Sequence, residues 1–165
     1  MAGVVDRLHV AVAGSGETIP ELEGMAEEVG AELARLGAVV VCGGLGGIME
    51  GACRGARSAG GTTIGILPGT DRRAANPYVD VAIPTGMGEL RNGLIVHCSD
   101  ALVAISGGFG TLSEIALALK AGKPVIGLGT WWVAHARDEE CEDFDEADDP
   151  LDAARRAVEA AAAAR

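Results

Sequence analysis

The sequence predicts an α/β domain in which a doubly wound, mostly parallel sheet is flanked by helices. Three observations predict it. Short apolar runs rich in valine, alanine and isoleucine alternate with amphipathic stretches of helical length. Glycine is abundant, at 25 of 165 residues, and aromatic residues make up only 3%, a composition that suits buried parallel strands packed closely against helices. Glycine clusters also recur where an apolar run gives way to a helix.

The elements follow in order. Leu8–Ala13 is a short apolar run bounded by glycine and reads as a buried strand. Gly14-Ser15-Gly16 is a turn, and Thr18 with Glu21 fits a capping box, with Pro20 in the first helical turn. That helix runs to about Leu36, with Ile19, Leu22, Met25, Ala26, Val29, Leu33 and Leu36 on its buried stripe, and Gly37 stops it. Ala38–Cys42 is a second strand, Gly43 to Gly47 a glycine-rich turn, and Ile48 to Ala59 a helix. Thr62–Leu67 and Val79–Ile83 are strands separated by a polar loop. A helix from Met87 to Cys98 leads to a strand at Ala101–Ile105. Gly107-Gly108-Phe109-Gly110 then opens a helix from Thr111 to Ala121, before a strand at Val125–Leu128. Residues 134–149 form an acidic connection without periodicity, and Asp149-Pro150 supplies the N-cap and first turn of a last helix over about 150–163. Strand–helix alternation with crossovers of this length gives right-handed βαβ units and a Rossmann-like sheet. The whole chain, 1–165, reads as one domain.

Composition removes several classes of function. The formal net charge of −11 comes mainly from residues 138–152, which hold ten acids and no base, leaving 14 acids against 13 bases elsewhere. No basic stripe is available to follow a nucleic acid backbone. No segment is apolar for the roughly 20 residues a spanning helix needs, and no signal-peptide pattern is present, so a cytoplasmic protein is expected. Cys42, Cys53, Cys98 and Cys141 form no CxxC pair, and three of them sit in apolar segments as small core residues. His9, His97 and His135 are scattered, so no metal site is expected. The acidic run lacks the glycine of a calcium loop and reads as a solvated segment.

In an open parallel sheet, ligands bind beyond the carboxyl ends of the strands. Three glycine clusters fall there: Gly14-Ser15-Gly16, Gly43-Gly44-Leu45-Gly46-Gly47, and Gly107-Gly108-Phe109-Gly110-Thr111. Each lies before a helix, where backbone N–H groups and the helix dipole favour an anion. None matches the GK[ST] ending of a Walker loop, and no GxGxxG follows the first strand. Arg91 sits near a helix start, where a cation is electrostatically misplaced. It fits either a surface ion pair with Glu89 or a grip on a phosphate or an acidic residue in the pocket. Thr111-x-x-Glu114 fits a capping box, and Glu114 equally fits a ligand contact. Trp131 and Trp132 fit a packed lid, a subunit contact or a stacking platform for a planar ring.

Two of these segments resemble a known superfamily. Gly107-Gly108-Phe109-Gly110-Thr111-Leu112-Ser113-Glu114, with Arg91 upstream, is similar to the GGxGTxxE signature of the LOG-like, or lysine-decarboxylase-like, Rossmann superfamily. Gly43–Gly51 is similar to its GGGxxGLMG stretch. The hydrolases of that superfamily read PGGxGTxxE and carry an Arg-Lys pair, where this chain has Ser106 and Arg91-Asn92. Together with Ser99-Asp100-Ala101 and Lys123-Pro124-Val125-Ile126, this is closer to the molybdenum cofactor carrier proteins.

The resemblance implies a homo-oligomer, dimer or tetramer, that holds a phosphorylated small molecule, a nucleotide or the pterin nucleotide of the molybdenum cofactor as cargo. The residues expected to bind it are Gly14, Ser15, Gly16, Gly43, Gly44, Gly46, Gly47, Arg91, Asn92, Gly107, Gly108, Gly110, Thr111 and Glu114. The alternative it implies is a phosphoribohydrolase of nucleoside 5′-monophosphates. There Glu114 would stabilise the oxocarbenium-like ribose or position water, and Arg91 would hold the substrate. A third reading is a structural or regulatory oligomer with a vestigial pocket. The apolar residues Leu90, Leu94, Ile95 and Cys98 fit a subunit face or packing on the sheet.

Overall fold

A computed structural model describes residues 6–133 and 144–165. The elements are β1 (His9–Gly14), α1 (Pro20–Arg35), β2 (Val39–Cys42), α2 (Ile48–Ser58), β3 (Thr63–Leu67), β4 (Val81–Pro84), α3 (Asn92–His97), β5 (Ala101–Ile105), α4 (Phe109–Lys120), β6 (Val125–Leu128), β7 (Phe144–Glu146) and α5 (Pro150–Ala163). The strands form one sheet in the order β4-β3-β2-β1-β5-β6-β7, and every pairing is parallel. The chain starts at β1, steps outward to β4, returns to β5 beside β1, and steps outward the other way. The switch in direction opens a crevice between the carboxyl ends of β1 and β5.

Side chains alternate across the sheet as a period of two requires. Val10, Val12, Val40, Val103 and Ile105 face the layer of α1, α2 and α5, with Val29, Leu33, Ala52 and Ala157 against them. Ala11, Ala13, Val41, Leu102 and Ala104 face α3 and α4, with Ile95, Val96, Ile115 and Ala118 opposite. The strands read as unbroken apolar runs because both faces are covered. Helices α1 and α2 approach until a Cβ on Gly30 would lie 2.0 Å from the carbonyl oxygen of Ala52, so only glycine fits that crossing.

Five sequence expectations need correction. Thr18 and Glu21 form no capping box: α1 starts at Pro20, with Ile19 extended before it (φ −125°, ψ 105°) and no side-chain cap. Proline at the first helical position fixes that start by pushing its predecessor out of the helical region. Ile19 and Leu36 flank α1 at its two ends and are exposed, so the buried stripe stops short of them. The helix expected from Met87 begins instead as a 3-10 turn over Gly88–Arg91, because Gly86 and Gly88 hold positive φ angles of 66° and 57°. The acidic connection contains a strand, β7, whose three residues carry no apolar alternation. Its position follows from Phe144, which packs edge-on to Trp132 at 5.7 Å between ring centroids. Cys98 is exposed, whereas Cys42 and Cys53 are buried as expected, with their sulfurs 3.5 Å apart. Residues 134–143, with His135 and Cys141 among them, lie outside the described residues.

The cap of α5 is as expected: Asp149 Oδ1 accepts the N–H of Asp152 at 2.8 Å, with Pro150 in the first turn. No helix among the described residues is long and apolar enough to cross a membrane.

Candidate functional site

A cavity of about 390 Å³ occupies the crevice at the switch point, within the size range of small-molecule sites. Its walls come from the end of β1, the first turn of α2, the turn before α3, and the first turns of α4. Gly14, Ser15 and Gly16 line it, as do Arg91, Asn92, Gly108, Gly110, Thr111 and Glu114. The structure thus brings together the first and third glycine loops, Arg91 and Glu114.

The second glycine loop faces elsewhere. Gly43, Gly44, Gly46, Gly47 and Gly107 are not on the cavity wall. The first N–H of α2, on Ile48, donates to the carbonyl of Ser15 at 3.0 Å, and a Cβ on Gly47 (φ 63°) would sit 2.4 Å from that same oxygen. The carbonyls of Gly44 and Leu45 accept the backbone and side-chain N–H groups of Asn76, each at 2.9 Å. This loop therefore clamps two neighbouring loops. It serves the site indirectly, because a Cβ on Gly43 would lie 2.7 Å from Arg91 Nη2, and its absence lets the guanidinium lie against the backbone.

The N-terminus of α4 is open. Gly108 precedes the helix with no side-chain cap, so Thr111 and Glu114 form no capping box. The helix begins two residues before Thr111, which places that residue inside the first turn. Intrahelical bonding starts with Leu112 N–H to Gly108 O at 3.0 Å, leaving the N–H groups of Gly110 and Thr111 without helical partners beside the cavity.

Several bonds hold this loop. Ser106 N–H donates to Leu128 O at 3.2 Å, and Thr130 Oγ1 donates to Ser106 O at 2.5 Å. Trp131 Nε1–H donates to Gly108 O at 3.1 Å, and its ring lies 5.7 Å from that of Phe109. Trp131 thus anchors the loop, and neither it nor Trp132 lines the cavity.

Arg91 and Glu114 are the two charged groups set deepest. Arg91 forms no ion pair with Glu89; among the described residues its only side-chain hydrogen bond is donated by Nη1 to Asn92 Oδ1. Its Nε is buried with no hydrogen-bond partner. Asn92, 5% exposed, turns its amide to Ser113 Oγ at 2.8 Å, linking Arg91 to α4. Glu114 is 7% exposed and has no hydrogen bond or ion pair among the described residues. Burial pushes its carboxyl up to about 7, against the opposing pull of the Arg91 guanidinium.

Five cavity-wall residues were not among those expected to bind a ligand: Val12, Ala13, Glu17, Met49 and Glu89. Glu17 directly follows the first glycine turn and Glu89 lies two residues before Arg91, so position relative to a motif was the available signal. Among the described residues, no group of three or more His, Cys, Asp or Glu side chains could hold a metal ion.

The chain is 37% identical to the molybdenum cofactor binding protein of Rippkaea orientalis, whose structure it matches with a TM-score of 0.83 over 91% of this chain and 94% of that one. It is also 37% identical to the molybdenum cofactor carrier protein of Chlamydomonas reinhardtii, with a TM-score of 0.83 over 95% of this chain and 99% of that one. A cytokinin riboside 5′-monophosphate phosphoribohydrolase of Mycobacterium tuberculosis is 34% identical over 69% of this chain and 66% of its own length. With residues 7–159 matching its description, the chain belongs to the SLOG cluster4 family.

Proposed function

We propose that the cavity holds the phosphate end of a small phosphorylated ligand, with the molybdenum cofactor as cargo and no turnover. The observation that carries this reading is an open helix N-terminus beside Arg91, which lines the same cavity and forms no ion pair among the described residues. Both groups are left wanting an acceptor, and a phosphate oxygen supplies it. Gly110 and Thr111 offer backbone N–H groups, while the Arg91 fork offers charge and direction. The similarity to two proteins described as molybdenum cofactor binding and carrier proteins supports the choice of cargo.

One observation favours a second reading, hydrolysis of a nucleoside 5′-monophosphate. Glu114 is a buried carboxyl with a pKa of about 7, suited to proton transfer or to stabilising positive charge at a ribose.

The protein acts as a homo-oligomer. Leu90 and Phe109 are 79% and 81% exposed on the segments that carry Arg91 and the α4 loop. Two large apolar side chains so placed fit a subunit contact.

Thermal unfolding separates the readings. Molybdenum cofactor, nucleoside monophosphates and inorganic phosphate are each added while free base is assayed. A ligand at 100 times its Kd raises the melting temperature by roughly 5–10 °C. Such a rise with the molybdenum cofactor and no base release is the expected result. Base release overturns the carrier reading in favour of the hydrolase, and silence in both channels overturns both.

A further inference from the structure

The cavity wall carries more acid than a phosphate site needs. Glu17, Glu89 and Glu114 face it, against the single base Arg91. Glu17 and Glu89 are exposed at the rim, and among the described residues neither carboxylate has a hydrogen bond or an ion pair. Glu114 lines the same cavity, more than nine-tenths buried and, among the described residues, unpartnered. A ligand that brought only phosphate would leave these carboxylates without a partner. The arrangement calls for a ligand that is anionic at one end and rich in N–H donors at the other.

We infer that the Glu17–Glu89 rim reads a heterocycle that presents a ring N–H beside an exocyclic amine, the 2-amino-oxo-pyrimidine edge shared by guanine and pterins. A carboxylate only accepts, and its two oxygens can take two parallel N–H groups at once. Guanine and pterin rings offer that donor pair. Hypoxanthine keeps the ring N–H but lacks the amine. Adenine sets a ring acceptor beside its amine, so one carboxylate oxygen would face a lone pair. The inference rests on the proposed binding of a phosphorylated ligand and adds which residues choose its ring.

Titration calorimetry tests it with guanosine, inosine and adenosine monophosphates, a pterin phosphomonoester and inorganic phosphate. Guanosine monophosphate should bind about tenfold more tightly than inosine monophosphate, the scale of a lost bond to a charged group, and adenosine monophosphate should bind more weakly still. In the Glu17→Gln, Glu89→Gln double variant the three nucleotides should converge to within about twofold. Phosphate affinity should not fall. Both residues are exposed, so the melting temperature of the double variant reports any loss of folding separately. Equal binding of the three nucleotides by the unaltered chain, with phosphate still bound, overturns this inference alone, as does a preference that survives the double substitution. Failure of every compound, phosphate included, overturns the binding reading and this inference with it. Tighter binding of the pterin ester than of guanosine monophosphate supports a pterin as the ring's source, and the reverse order supports a guanine nucleotide.

Discussion

Glu114→Gln should make the ligand-free protein more stable at alkaline pH and leave it nearly unchanged in acid. The carboxyl titrates near 7 in the folded chain, raised from 4.5 chiefly by burial. The folded state therefore binds this proton more tightly than the unfolded state does. Its contribution to stability is complete below about pH 4.5, declines as pH rises, and is lost once pH passes about 7. The gap corresponds to about 3 kcal/mol. Glutamine keeps the shape and polarity of the protonated acid without the ionisation. Urea unfolding of both proteins at pH 4.5 and pH 8.5 gives the difference directly, because groups common to both cancel. The variant should gain about 3 kcal/mol on the unaltered chain between those pH values. For a chain of this length that is roughly 6–12 °C in melting temperature. Two stability profiles that run parallel across the range would show that Glu114 is already ionised at pH 7 and would refute the reasoning.

Three other variants test the supports of the site and the proposed subunit contact. Gly43→Ala should weaken phosphate binding with little effect on melting temperature, because its Cβ would lie 2.7 Å from Arg91 Nη2 and 2.8 Å from Met49 Sδ, both ends of movable side chains; calorimetry with inorganic phosphate and a thermal melt read the two effects. Gly47→Ala should instead cost about 3 kcal/mol in urea unfolding, since φ is 63° and the obstacle 2.4 Å away is the backbone carbonyl of Ser15. The Leu90→Glu, Phe109→Glu pair should shift light-scattering mass from oligomer to monomer, and an unchanged mass would remove these residues from the subunit contact.

What the sequence made legible follows from burial on both faces. β1, β2, β5 and β6 stood out as continuous apolar runs because helices cover each side of them. β7 did not, because Phe144–Glu146 is an edge strand and its two acids are exposed. At the site, the glycine loops were all visible, but glycine answers two different needs. It lets a backbone approach an anion, and it lets one loop approach another. Gly43–Gly47 meets the second need, through the carbonyl of Ser15 and the side chain of Asn76, and nothing in the spelling of the motif separates the two. Glu114 was ambiguous for a related reason. Whether Thr-x-x-Glu is a cap depends on where the helix begins, and a start two residues earlier turns the same glutamate from the helix end to the cavity.

The two departures from the hydrolase pattern, Ser106 and Asn92, belong to one arrangement of supports. Ser106 holds a φ of 47°, a value the proline ring forbids, and its N–H bonds to Leu128 O. Proline at this position could adopt neither the angle nor the bond. The loop is held instead from β6 and the residues after it, through Leu128, Thr130 and Trp131. Asn92 ties the other wall to the same helix: its oxygen accepts from Arg91 and its amide donates to Ser113. A lysine there has no acceptor for Arg91 and would bring a second cation beside it. This chain therefore fixes Arg91 with a neutral group, with its Nε buried and without a hydrogen-bond partner, an arrangement that fits the proposed grip on a phosphate by one directed cation.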